Sequence, residues 1–104
     1  LNLPKKPETL FKERIFPVLK KIPRSWWIKT QQMATIGIPD ILGCVNGRFV
    51  AIELKRSKQQ ASKAPALQQH VIRLVAQSGG YAAFMYPENF DEILAEIRSL
   101  HSPS

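Results

Sequence analysis

GIPDILGCVNGRFVAIELK, residues 37–55, decides how this chain is read. Two apolar runs flank Asn46-Gly47. Asn-Gly is the strongest short-range hairpin signal, because both central residues of the turn need positive φ. A two-residue turn sets Val45 opposite Arg48, Leu42 opposite Ala51, Ile41 opposite Ile52 and Asp40 opposite Glu53. Directly opposed residues hold their Cβ atoms about 4.5–5.5 Å apart, so two carboxylates are expected side by side. Alternation along the second strand turns Phe49, Ala51, Glu53 and Lys55 to one face and Val50, Ile52 and Leu54 to the other. Asp40, Glu53 and Lys55 therefore share one face near the open end of the hairpin, and the opposite face is apolar.

Like charges in opposed positions are destabilising unless a proton or a cation sits between them. Two carboxylates with an ammonium alongside are what a hard divalent cation requires. Mg²⁺ takes oxygen ligands, keeps several waters and commonly uses one or two carboxylates together with substrate phosphate. A Lys beside the ion can position a water or stabilise charge developing on phosphate. The alternative for the same residues is an exposed strand end carrying an Asp–Lys or Glu–Lys ion pair.

Outward from the hairpin, Leu10, Phe11, Ile15, Val18, Leu19 and Ile22 form a helical apolar stripe over residues 8–22. Pro7 suits a first helical turn and Glu8 its positive end, whereas Pro17 is expected to kink or interrupt the helix. Residues 25–30 read as a strand and 31–38 as a loop. Residues 56–63 read as a polar loop. A helix follows with Pro65 in its first turn, Leu67, Val71, Leu74 and Val75 on its apolar face, and Gly79-Gly80 at its end. Residues 81–86 are a strand, and a last helix spans about 89–100. The order is αβββαβα: an α/β chain with a central mixed sheet and helices on both sides. The strand after the crossover helix is expected to run parallel to residues 48–55.

At 104 residues, one domain spanning 1–104 is expected. Cys44 stands alone, so no internal disulfide can form, and a reducing, cytoplasmic setting fits. No apolar run approaches the roughly 20 residues that span a bilayer. The formal net charge of +7 fits equally a polyanionic partner, most often nucleic acid, and a solvated surface that keeps the chain soluble. Lys29, Arg56, Lys58 and Lys63 flank the carboxylates and are the candidate phosphate contacts. Trp26 and Trp27 are both assigned to the core in preference to base stacking. His70 and His101 have no metal-ligand spacing with any Cys or His, which argues against zinc.

Pro39-Asp40, a twelve-residue spacer and Glu53-Leu54-Lys55 resemble the PD-(D/E)XK nuclease superfamily, and more narrowly its small stand-alone VRR-NUC members, which are often viral. The resemblance covers roughly residues 8–86, with a helix before GIPDI, VAIELK on the next strand, and a later helix containing LQQ. It implies a restriction-endonuclease-like core and a metal-dependent DNA endonuclease. Asp40, Glu53 and the backbone carbonyl of Leu54 would hold Mg²⁺, with Mn²⁺ able to substitute, and Lys55 would serve the attacking water. The resemblance also implies a Glu from the first helix. Glu8 fits best, because it lies on the same stripe as Phe11 and Ile15, whereas Glu13 is turned away from it by about 140°. It further implies a Gln on the later helix, Gln68 before Gln69. Small relatives act as homodimers on branched DNA, which implies cleavage of four-way junctions. A flap, nicking or general nuclease is one alternative, and a non-catalytic nucleic-acid-binding module on the same fold is another.

Overall fold

Asn46 and Gly47 adopt φ of 52° and 85°, and the two-residue turn closes the hairpin in the expected register. Strand β2 (Ile41–Val45) pairs antiparallel with β3 (Arg48–Leu54), with Val45 opposite Arg48 and Ile41 opposite Ile52. The computed structural model describes residues 7–30 and 37–101, with the side chains of 7–10 excepted. Before the hairpin come helix α1 (Pro7–Lys20) and strand β1 (Ser25–Lys29). After it come α2 (Lys58–Ser62), α3 (Ala66–Gln77), β4 (Tyr81–Met85) and α4 (Phe90–Arg98), the last entered through a 3-10 turn at Pro87–Asn89. The sheet order is β1-β2-β3-β4, with β4 parallel to β3 as the crossover through α3 requires.

One face of the sheet is the dry core. Val50, Ile52 and Leu54 of β3 meet Ile41 and Val45 of β2, Trp27 of β1 and Met85 of β4. Ile15, Leu19 and Ile22 cover them from α1 and the segment after it, and Ile93, Leu94 and Ile97 from α4. Phe11 and Phe90 join the two helices edge to face, with ring centroids 6.1 Å apart. Gly43 is required here: a Cβ at that position would run into the Trp27 ring. Helix α3 packs on the opposite face, so helices flank the sheet on both sides.

Two sequence expectations are corrected and one is narrowed. Helix α1 runs through Pro17 without a break. Glu13 and Pro17 are both exposed, so the carbonyl that Pro17 cannot satisfy lies on the solvated side of the helix. Residues 58–62 form a helix instead of a loop, because the Ser57 hydroxyl accepts from the Gln60 N–H and caps it. Trp27 is buried at 8% exposure but Trp26 is 63% exposed. Strand alternation sends them to opposite faces, and only one face over β1 is covered. Of the expected loop 31–38, residues 31–36 lie outside the described residues.

Candidate functional site

Asp40 directly precedes β2, and its position is set by the end of β1. The Thr30 N–H donates to the Asp40 carbonyl at 2.9 Å. The buried Thr30 hydroxyl donates to the Pro39 carbonyl at 2.8 Å. The backbone of Pro39-Asp40 is thereby held against the sheet, and the Asp40 carboxylate turns toward β3. Its Oδ2 accepts from the Leu54 N–H at 2.8 Å. The N–H and C=O of one strand residue leave the strand on the same side. The Leu54 carbonyl therefore faces the Asp40 side, while the Lys55 N–H turns the other way to the Met85 carbonyl.

Glu53 is buried at 5% exposure, and its carboxyl is hydrogen-bonded to that of Asp40. Burial first, then the hydrogen bond to Asp40 and its negative charge, push the Glu53 carboxyl up from 4.5 to about 8, against the pull of Lys55 and Lys12. Glu53 is thus held largely protonated at neutral pH. A divalent cation can replace that proton, and the donor set suits Mg²⁺ or Mn²⁺: carboxylate oxygens, a backbone carbonyl nearby, and an open end that admits water. Among the described residues no group of three His, Cys, Asp or Glu side chains is gathered for a metal. Two carboxylates suffice for an ion that keeps its waters. The side chain of Glu8, the preferred helix ligand, lies outside the described residues. Glu13 is exposed on α1.

Lys55 is half-buried, and its Nζ donates to Gln68 Oε1 at 2.7 Å. Gln69 instead donates from Nε2 to the Ala64 carbonyl at 2.7 Å, tying down the start of α3. Of the two glutamines, Gln68 is the one joined to Lys55. The candidate phosphate contacts separate. Arg56 borders a polar dent of about 400 Å³ beside the site, shared with Lys12, Leu54, Lys55 and Gln60. Lys58 and Lys63 project from the two ends of α2 into solvent. Lys29 is drawn to α1, where its Nζ lies 4.9 Å from the centre of the Phe16 ring, which Lys20 also approaches.

Sequence reasoning missed Thr30, Lys12 and Gln60. Ser57-Lys58-Gln59-Gln60 matches the S-x-x-Q capping pattern, which was a signal for α2 and hence for the placement of Gln60. Lys12 carries no such local mark, since its place follows from how α1 docks. Thr30 is recognisable only once β1 and the Pro39-Asp40 segment are adjacent. Compared with known protein families, curated proteins and solved structures, the chain matches none of them.

Proposed function

We propose that this chain is a Mg²⁺-dependent endodeoxyribonuclease of the PD-(D/E)XK, VRR-NUC type. The observation that carries the reading is the hydrogen-bonded Asp40–Glu53 carboxyl pair at the open end of the β2–β3 ribbon, with Lys55 alongside. Asp40 and Glu53 would hold the ion, with the Leu54 carbonyl on the same side. When bound there, a divalent ion supplies positive charge to a phosphate oxygen and acidity to a water.

The remaining work falls to this chain's own groups. Gln68 takes one of the three donors of the Lys55 ammonium. The other two are available to a phosphate oxygen and to the attacking water. Thr30 and the Leu54 N–H hold Asp40 in one orientation, so the carboxylate pays little reordering cost when it engages an ion. Glu8, on the first turn of α1, is proposed as a supporting acid.

The proposed substrate is branched DNA, cut by a two-fold homodimer inside the cell. A symmetric dimer presents two sites to two strands, which suits paired nicks at a four-way junction. The apolar face left uncovered by α3 supports self-association, since Trp26, Ile28 and Phe49 are all exposed there. No helix among the described residues is long and apolar enough to cross a membrane.

The test is incubation of a four-way junction, a flap and a linear duplex with Mg²⁺, beside Asp40→Ala. Metal-dependent product from the junction alone is expected. Product from every substrate would replace the junction reading with a general nuclease. Binding without any product would leave a nucleic-acid-binding module.

A further inference from the structure

The dent beside the carboxylate pair is not explained by metal binding. Its walls come from three separate elements: Lys12 from α1, Leu54, Lys55 and Arg56 from the end of β3 and the turn after it, and Gln60 from α2. Three of these five side chains are cationic, one is an amide and one is apolar, and none is a carboxylate. Two hydrogen bonds hold α2. Ser57 caps α2 and thereby holds Gln60. The Lys58 N–H bonds Glu88 at 3.2 Å and ties α2 to the turn before α4. Lys12 is close enough for its charge to act on Glu53, so the dent and the carboxylate pair adjoin. A concave site with several converging donors and no acceptor acid suits an oxyanion. At about 400 Å³ it falls within the range of about 300–1,000 Å³ for small-ligand sites.

We propose that Lys12, Arg56 and Gln60 form a binding site for a phosphodiester group of the nucleic-acid backbone, contiguous with the Asp40–Glu53 pair and sharing Lys55 with it. The inference rests on the nuclease reading and adds α1 and α2 as the elements that seat the substrate. Arg56 supplies a planar, two-pronged donor, Lys12 a point charge and Gln60 a neutral amide. A backbone phosphate held there brings its neighbour toward the carboxylates. Lys12 and Arg56 are thus positioning residues.

The experiment is metal-free binding of the intact chain to a fluorescent four-way junction and a duplex, measured by anisotropy over a salt series. It compares wild type with Lys12→Ala, Lys12→Arg, Arg56→Ala, Gln60→Ala and, as a control at the exposed residue just after α1, Lys21→Ala. Each lost phosphate contact lowers the slope of log K against log salt by about 0.9, which at 0.1 M salt is roughly a five- to tenfold loss. That result is expected for Lys12→Ala and Arg56→Ala, with restoration by Lys12→Arg. Gln60→Ala should weaken binding without changing the slope, because it is uncharged. Lys12 and Arg56 are exposed, and thermal melts confirm that each variant is folded. A wild-type slope in Lys12→Ala, or an equal change in Lys21→Ala, overturns the pocket and leaves the nuclease reading standing. Wild type that binds no DNA in the same series overturns both.

Discussion

The two faces of the four-stranded sheet are built from the same strands and behave oppositely. On the face covered by α1 and α4, alternate residues of β3 are Val50, Ile52 and Leu54, and all are buried in one apolar cluster. On the face toward α3, the intervening residues are Phe49, Ala51 and Glu53, and burial runs from 45% exposed at Phe49 to nearly complete at Glu53. None of the residues of α3 is buried, and Leu67 and Leu74 stay close to half exposed. Two helices close the first face along its whole width, whereas one helix lies over the β3–β4 side of the second. The first face supplies stability. The second holds a buried Glu53 carboxyl beside the half-buried Asp40 carboxylate, a pairing that a purely stabilising surface would exclude, since neighbouring like charges at a buried site oppose folding. On the proposed reading, this polar cluster on the less covered face is where the chemistry would lie.

The comparison can be broken at several points. The largest effect is expected at the carboxyl pair. Asp40→Ala or Glu53→Gln should reduce metal-dependent cleavage by about 10²–10³-fold, the scale of losing a principal electrostatic stabiliser, while circular dichroism shows a retained fold. Retained cleavage in both would remove the site from this face altogether.

Next is packing. Ile52→Ala on the closed face should lose about 2–5 kcal/mol of stability in urea unfolding. Leu74→Ala on the open face should lose far less, under about 1.5 kcal/mol, because roughly half of that side chain is already in water. Equal losses would show that the second face is covered in solution.

The dependence on pH sharpens the contrast. Glu53 titrates at about 8 in the folded chain against 4.5 for the ordinary group. Between those values the folded state binds more protons than the unfolded one, so its contribution is present below pH 4.5 and is lost as pH rises through 8. Without metal, the melting temperature should decline over that window, and Glu53→Gln should flatten the decline. Mg²⁺ or Mn²⁺ should restore stability most at the alkaline end, where the ion no longer competes with a proton. A melting profile that rises over the window would contradict a Glu53 carboxyl that stays protonated in the fold.

The smallest effect on stability is expected at Trp26. Trp26→Ser should change unfolding free energy by no more than about 0.5 kcal/mol, as for other exposed positions. It should nevertheless shift the proposed dimer toward monomer in sedimentation at micromolar concentration. No change in mass would move the dimer surface elsewhere.

Much of the site was legible before the fold was known. Asn46-Gly47 determines the turn, the turn determines the register, and the register puts Asp40 against Glu53 with Lys55 two positions on. These are local consequences of φ preference and strand alternation, which act within about twenty residues. The alternation of β3 likewise separated its dry face from its polar one. Local signals did not settle Trp26. A period of two says that Trp26 and Trp27 face opposite ways, but not which face another element covers. They ranked Gln68 before Gln69 without deciding between them, since the choice depends on the rotation of α3 against β3. Lys12 stands about forty residues from Glu53 along the chain, and α1 brings it there only because its apolar stripe docks on the far side of the same sheet. The sequence by itself therefore determined the hairpin, its register and the paired acids, because hydrogen bonding and chirality within a ribbon are short-range. Only the tertiary structure decided which cations and amides surround those acids, because helix docking is governed by apolar area buried across the whole chain.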